Sequence, residues 1–455
     1  MKALGKIEAL EKLEKYFKPN VAAMEKKKDL KGLIKALGYQ NDPDLPKQAE
    51  DVLIKVDAIA VKPLVAALKD KDLEVRRGAV RVLDRMGWSP STDEERIGYI
   101  MAARKWEELV VAGSSNVGAL IATLNDKDPD VREHAVNALA KIGQPAVKPL
   151  LAALGKSGDP AMRSGAAEAL GKIGSEEAVK PLILALKDKK ASVRKNVVEA
   201  LGRIGTPQAL KQIIIVLKDS DPEVRKSAAI ALGKKGNTRA VNPLIVTLKD
   251  DNPQVRQGAI AALGNMGESR AIKSFESALK DKDLATRKVA ADALEKVGWK
   301  PLKEKSQISY LIAARKWEEL ANLGKAATVP LIAALKDKDQ VNRKDIITTL
   351  GKIGDAQGVK TLCAALKDKD PNIQEIAIEA LEKMGSAQVV KPAVIVKPLI
   401  ALLKDKTPFI RQRAAKALGK LGDPKAVKSL TDMLWGDKET GARKSATEAL
   451  GKIKV

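Results

Sequence analysis

The sequence predicts an all-α protein, a right-handed solenoid (superhelix) of about eleven two-helix repeats. Three observations lead to this fold class. Apolar residues recur every three or four positions, Pro and Gly punctuate these stretches, and the whole pattern returns after 31 residues. The composition agrees, because 3 Phe, 4 Tyr and 5 Trp in 455 residues leave Ala, Leu, Ile and Val to fill a core, which suits helix packing better than strands.

One position in each repeat is marked by an arginine, or by Gln374 in one of the eleven. It recurs at a spacing of 31 residues, with spacings of 56, 37 or 32 where segments are inserted. A Leu lies seven residues after each marked position, and a Gly lies eleven residues after all but the last. The marked positions are Arg76, Arg132, Arg163, Arg194, Arg225, Arg256, Arg287, Arg343, Gln374, Arg411 and Arg443. Eleven repeats therefore share one register.

The unit from Ala240 to Gly267 shows why each repeat is a helical hairpin. Pro243 lies early in a first helix with one apolar stripe, and residues 250–253 interrupt that helix. Pro253 then takes a first-turn position of a second helix, where its missing N–H removes no hydrogen bond. Gly267 ends the second helix in the left-handed conformation. Such a hairpin must cover its apolar sides with neighbouring hairpins.

This repeat, written PLIxALKDxDPxVRxxAAxALGxIG, resembles the HEAT repeat, and most closely the short HEAT-like repeats first described in phycobilisome lyases. The resemblance covers residues from about 60 to 455. It implies that Asp and Arg six residues apart form a hydrogen-bonded ladder along the stack. Two units depart from the pattern, with Ser157 before Arg163 and Gln374 after Asp368. We expect the first departure to leave Arg163 freer than the other arginines.

The register divides the chain into segments. Residues 1–58 lie outside it and are predicted to form an irregular helical N-terminal cap, with a charged amphipathic helix to about Phe17. The remaining segments are a first repeat at 59–86, a Trp/Tyr helical insert at 87–113, repeats at 114–297, a second Trp/Tyr insert at 298–324, and repeats at 325–455 with a longer loop near 386–396.

The two inserts share an AARKWEEL helix and four of the five Trp residues. We interpret them as structural, with Trp106 and Trp317 substantially buried by the flanking repeats. An aromatic binding site is the alternative interpretation.

Counting residues excludes several kinds of active site. The chain has one cysteine, Cys363, and one histidine, His134, so it cannot form an internal disulfide, a Cys/His zinc site or a histidine-based triad. Cys363 shares a column with isoleucines and is expected in the core, and His134 is expected on a solvated helix surface. We therefore predict no enzyme activity, no cofactor and no metal. The N-terminal sequence has no apolar signal-peptide core, and no apolar run reaches ~20 residues, so the chain is predicted to be cytoplasmic and free of membrane contact. It is also predicted to be a monomer.

A formal net charge of +24 raises the question of where the positive side chains lie. Projection at 100° per residue places the positions one and five after each marked arginine opposite the buried face of the second helix. In the resembled family this face lines the concave side of the solenoid. Candidate partner-binding residues on this concave floor are Lys195, Lys226, Ile230, Lys288 and Lys344.

A basic residue also lies nine positions after the marked one in ten of eleven units. The helix dipole alone favours cations in a last turn, yet the same residues would form a basic rim when stacked. Candidate rim residues are Arg203, Lys234, Lys296 and Lys352.

Two functions follow from this arrangement. The first is a non-enzymatic scaffold or adaptor that binds a partner protein along the concave face, because charged and apolar positions are mixed there. The second is binding of RNA, DNA or the ribosome through the basic rim. The aromatic residues are not interleaved with the basic residues of the rim, which argues against stacking of nucleic-acid bases on this surface. An enzyme is the remaining, least supported possibility.

Overall fold

The computed structural model describes residues 19–111, 113–335, 342–389 and 391–453, and in these ranges every regular element is a helix. The predicted all-α fold of two-helix repeats is confirmed. The chain divides into two compact units, Met1–Ala240 and Val241–Val455, each a stack of helical hairpins.

The α-helices of the first unit are α1 Val21–Lys27, α2 Leu30–Ala36, α3 Asp44–Val56, α4 Ala58–Ala67, α5 Leu73–Arg85, α6 Asp93–Ala102, α7 Trp106–Val111, α8 Val117–Ala122, α9 Pro129–Ile142, α10 Gln144–Lys156, α11 Pro160–Ile173, α12 Val179–Ala185, α13 Ala191–Ile204, α14 Pro207–Val216 and α15 Pro222–Lys234. Short 3₁₀ turns precede several first helices.

Those of the second unit are α16 Val241–Thr247, α17 Pro253–Asn265, α18 Ile272–Ala278, α19 Leu284–Lys296, α20 Glu304–Ala313, α21 Trp317–Asn322, α22 Thr328–Ala334, α23 Arg343–Ile353, α24 Val359–Ala365, α25 Pro371–Ser386, α26 Pro392–Leu402, α27 Pro408–Leu421, α28 Val427–Gly436 and α29 Thr440–Leu450.

Helix α11, the second helix of its repeat, shows how the sequence sets the two ends of a helix. The Asp159 side chain accepts a hydrogen bond from the backbone N–H of Ala161, and Pro160 takes the first helical position. Gly174, with φ of 76°, ends the helix in the left-handed region. Between these ends α11 buries an Ala- and Leu-rich face, and it packs between α9 and α13. Second helices thus stack side by side, with short apolar side chains at their contacts.

Residues 30–56 differ from the predicted irregular cap. They form a hairpin, α2–α3, that packs against α4 and α5 as any repeat would. The buried residues Leu45, Ala49 and Leu53 stand 30 positions before their equivalents in α5. Pro46 stands where the arginine would be, which hid the register. The amphipathic helix predicted to end near Phe17 lies outside the described residues.

Each Trp/Tyr insert contributes a short helical hairpin, α6–α7 in the first unit and α20–α21 in the second. Helix α7 packs against α9, and α21 packs against α23, in the way second helices do elsewhere. Trp106 and Trp317 are partly buried. Trp317 lies against the apolar core of its unit. The Trp106 ring stacks on His134, with 5.1 Å between ring centroids, so this histidine is also only partly solvated.

The longer loop expected near 386–396 is shorter than predicted. Helix α25 continues to Ser386, and α26 starts at Pro392, whose fixed φ suits a first helical position.

Candidate functional site

The marked arginines of the repeats form hydrogen bonds within their own repeat and to the next repeat. In Arg194, Nη1 donates to the carbonyl oxygen of Asp188 at 2.9 Å, while Nε and Nη2 donate to the Asp219 carboxylate at 2.8 and 2.7 Å. Each guanidinium therefore binds its own repeat through a backbone carbonyl and the next repeat through a carboxylate. The same bidentate pairing holds for Arg163, Arg256 and Arg411. These arginines stabilise the stack and are not available to a partner.

Ser157 does not free Arg163, contrary to the expectation. Arg163 donates to the Ser157 carbonyl at 3.0 Å, for which any residue serves, and to the Asp188 carboxylate at 2.7 Å. These hydrogen bonds hold the pKa of Asp188 below its usual range. The pairing lost is that of Arg132, whose next-repeat partner position is Ser157, 25 residues later. Within the described chain, Arg132 donates only to backbone carbonyls.

The second departure behaves in the same way. Arg343 still pairs with Asp368 at 3.0 Å, so Asp368 does not lack an arginine. The residue affected by Gln374 is Asp405 of the following repeat, because Gln374 stands where the arginine partner of this carboxylate would be. The pair of Asp337 with Arg343 lies outside the described residues.

A glycine column lets the second helices approach each other closely. Gly202 in α13 lies against Ala231 in α15, and Gly171 in α11 lies against Ala200 in α13. Gly351 and Ala380 repeat this contact between α23 and α25 in the second unit. In each unit, the surface formed by the exposed positions of its second helices is called the second-helix face of that unit. Every partner-binding residue predicted from the sequence lies on a second helix of one unit or the other.

A groove of about 580 Å³ opens on the second-helix face of the first unit, between α13 and α15. It is called the α13–α15 groove. Ile230 and Ala231 supply its apolar part, and Glu199 supplies one carboxylate. Its remaining lining residues are Gly202, Arg203, Ser227, Lys234 and Lys235. The structure therefore brings together three of the predicted residues: Arg203, Ile230 and Lys234.

Lys235 belongs to this groove and was missed in the sequence. Its Nζ donates to the Arg203 carbonyl oxygen at 2.9 Å, which ties α13 to the end of α15. The sequence contains a signal for it. The position ten residues after the marked one is apolar in the other ten repeats, and Lys235 is the exception.

The second unit has an equivalent groove of about 430 Å³ between α23 and α25. It contains the predicted residue Lys352 together with Ile376, Glu379 and Lys383. Lys352 is paired there with Glu318 of the Trp/Tyr insert. The second groove is therefore less positive than the α13–α15 groove.

The other predicted floor residues lie near the N-terminal ends of their helices and away from both grooves. Lys195 and Lys226 are half-buried, and Lys226 lies 3.6 Å from Glu223. Lys288 and Lys344 are exposed. None of the four lines the α13–α15 groove or the α23–α25 groove.

Acidic neighbours neutralise much of the predicted basic rim. Lys141 pairs with Glu107 at 2.6 Å, Lys172 with Glu168 at 2.9 Å and Lys420 with Glu382 at 2.6 Å. Lys296 donates to Asn265 at 2.7 Å. In the described chain, the rim residues without a carboxylate partner are Arg203, Lys234, Lys296, Lys383 and Lys452. The uncompensated rim charge of the first unit is therefore concentrated at the α13–α15 groove.

The described residues offer little for catalysis or metal binding. They contain no group of three or more His, Cys, Asp or Glu side chains placed to hold a metal ion. Cys363 is partly buried against the core of its unit, and this burial raises the pKa of its thiol, which disfavours the nucleophilic thiolate. No helix in the described ranges is long and apolar enough to span a bilayer.

Comparison with solved structures finds other helical-repeat proteins. Yeast importin-β (Kap95p) is 12% identical with a TM-score of 0.41, covering 95% of this chain and 80% of its own. An engineered protein is 23% identical with a TM-score of 0.29, covering 87% and 99%. The CpcE and CpcF complex of phycocyanin lyase from Nostoc is 19% identical with a TM-score of 0.31, covering 68% and 94%. These likenesses concern the fold alone.

Among curated proteins, no sequence matches the chain. The family model for HEAT repeats matches residues 94–158, 117–183, 147–214, 210–295, 241–315, 328–395 and 390–451, which is most of the chain. The repeat register, the stacked hairpins and this match agree, and the chain belongs to the HEAT-repeat family.

Proposed function

We propose that this protein is a non-enzymatic scaffold or adaptor that binds a partner protein along its second-helix faces. The observation that supports this most is the α13–α15 groove, where Ile230 and Ala231 lie beside Arg203, Lys234 and Lys235. An apolar floor edged by cations suits an apolar side chain with acidic neighbours on the partner.

The composition of the groove favours recognition over catalysis. Its charged groups are three cations and one carboxylate, and Ser227, its one hydroxyl, is largely buried. We further propose a cytoplasmic monomer without membrane contact, since a chain with a single cysteine suits a reducing compartment. Lys195 and Lys226 of the first unit, and Lys288 and Lys344 of the second, belong to the proposal as secondary contacts on second helices.

Binding of RNA, DNA or the ribosome is the second candidate. The net charge of +24 favours it, since a polyanion is attracted to any surface with excess positive charge. The pairing of rim lysines with glutamates weakens it. The tryptophans at the inserts also pack against protein groups and do not form a stacking platform.

Affinity purification with mass spectrometry, carried out with and without nuclease, tests the proposal. The informative variant is Ile230→Glu, which places a charge in the groove. Ile215→Glu is the matched control, because Ile215 is 59% exposed on the first helix α14 of the same repeat. We expect the same partner protein on wild type and Ile215→Glu after nuclease treatment, and its loss from Ile230→Glu. Loss of all partners on nuclease treatment would favour the second candidate.

A further inference from the structure

A cavity separate from the two grooves lies where the inserted hairpin α6–α7 meets the first repeat. Its volume is about 530 Å³, within the range of small-molecule sites. Most of the wall is apolar, formed by Leu68, Ile97, Met101, Ala119, Ala122 and Val131. Lys69 and Glu94, which pair with each other and are both exposed, lie at its mouth.

The polar end of the cavity is a displaced ladder pair. Arg76 meets its next-repeat carboxylate, Asp126, across the insertion, 50 residues later. Both contacts between them are 3.3 Å long, whereas Arg194 meets Asp219 at 2.8 and 2.7 Å. The insertion therefore holds these two repeats too far apart for a tight bidentate pair.

Within the described residues, Arg76 consequently keeps a donor without an acceptor where it lines the cavity. The residue is only 7% exposed, and its Nη1 donates to the Asp70 carbonyl oxygen at 2.8 Å. Its Nε, which binds a carboxylate in the intact pairs, has no acceptor among the described residues. A buried guanidinium with a loose partner gains a charge-assisted hydrogen bond from an added acceptor.

We propose that this cavity binds a small amphipathic acid, with its carboxylate on Arg76 and its apolar body between Leu68, Ile97 and Met101. The site would be independent of the α13–α15 groove and of the function proposed for it. Medium-chain monocarboxylates are the simplest members of the ligand class, since the wall is mostly apolar and its one buried cation, Arg76, is only loosely paired with Asp126.

Gly98 provides a way to fill the cavity. It lies in the interior of α6 and lines the cavity, and a Cβ atom on it would meet nothing nearer than 3.9 Å. A Leu side chain at this position can enter the cavity without a backbone clash. Gly155, in α10, has nothing within 4 Å of such a Cβ atom and is the matched control on an exposed helix surface.

The test is isothermal titration calorimetry of the full chain with sodium octanoate, compared with octylamine as a probe of the same length and opposite charge. We expect one octanoate per chain, bound about tenfold or more tightly than octylamine. Binding should vanish in Gly98→Leu and persist in Gly155→Leu, both checked for a wild-type circular dichroism spectrum. If Gly98→Leu does not fold, Ala119→Leu takes its place.

Three results would overturn the proposal. These are no binding of octanoate to wild type, unchanged binding in the folded filled variant, and equal affinity for octylamine and octanoate. None of them affects the proposed protein partner, whose groove is formed by other helices.

Discussion

Gly202 lies so close to Ala231 that a Cβ atom on Gly202 would stand 2.7 Å from the Cβ atom of Ala231. This contact joins α13 to α15 directly beside the groove. A glycine inside a helix is unfavourable by ~1 kcal/mol relative to alanine, so close packing of neighbouring repeats must compensate for it.

Gly202→Ala is therefore expected to destabilise the protein, although alanine is the better helix former. Overpacking at a rigid contact costs about 1–3 kcal/mol, against the ~1 kcal/mol gained in helix propensity. Urea unfolding followed by circular dichroism measures the difference. Gly155→Ala, where space is open, should be neutral or stabilising by up to ~1 kcal/mol. Equal effects of both substitutions would show that the close contact has no energetic role.

Ser157→Asp should restore a missing ladder pair and stabilise the first unit. The new carboxylate would stand 25 residues after Arg132, the spacing of Arg163 and Asp188. A charge-assisted hydrogen bond in a partly buried position contributes about 1–2 kcal/mol. Unfolding midpoints should rise for Ser157→Asp and not for Ser157→Asn, which lacks the charge. A rise in both variants would assign the gain to the turn and not to Arg132.

The stability of the ladder should depend on pH in the acid range. Hydrogen bonds from Arg163 lower the pKa of Asp188 in the folded state, and those from Arg411 lower the pKa of Asp437. This stabilisation is complete above the unfolded-state pKa of about 3.9 and is lost as pH falls through the folded-state values. Unfolding free energies from pH 7 to pH 2 should fall less steeply in Asp188→Asn than in wild type. Parallel curves would contradict the assignment.

Trp317→Ala should reduce stability by about 1.5–3 kcal/mol, less than the 3–5 kcal/mol of a fully buried aromatic side chain. The reason is that Trp317 is half-buried against the core of the second unit. Thermal unfolding measures the loss, and partner binding should be unaffected. A variant of unchanged stability that loses its partner would favour an aromatic binding site at the insert.

The repeat architecture could be predicted from sequence because each helix end and each apolar stripe is set by residues within one repeat. The α2–α3 hairpin was missed since Pro46 interrupts the arginine column. The sequence predicts the Asp and Arg residues of the ladder. Their spacing of six residues within a repeat does not show that each arginine pairs with the carboxylate of the next repeat. The six-residue spacing therefore assigns the missing carboxylate to Arg163, whereas Ser157 removes the carboxylate partner of Arg132.

The site was predicted only in part for a similar reason. The rim column gave Arg203 and Lys234, and the floor column gave Ile230, but the groove forms only where Gly202 brings two helices together. Neutralisation of Lys141 and Lys352 comes from glutamates 34 residues earlier, in inserts whose position the register does not fix.

A comparison of two charge reversals distinguishes a localised protein contact at the α13–α15 groove from attraction by net charge. Lys234→Glu with Lys235→Glu alters the groove, whereas Lys211→Glu with Lys218→Glu changes the net charge equally on exposed positions of the α14 segment. The affinity of each for the captured partner is measured at two salt concentrations. We predict that only the groove variant loses binding, by tenfold or more, as for a charged contact worth ~1.4 kcal/mol. Equal weakening of both variants with a steep salt dependence would contradict the account and indicate a polyanion held by net charge.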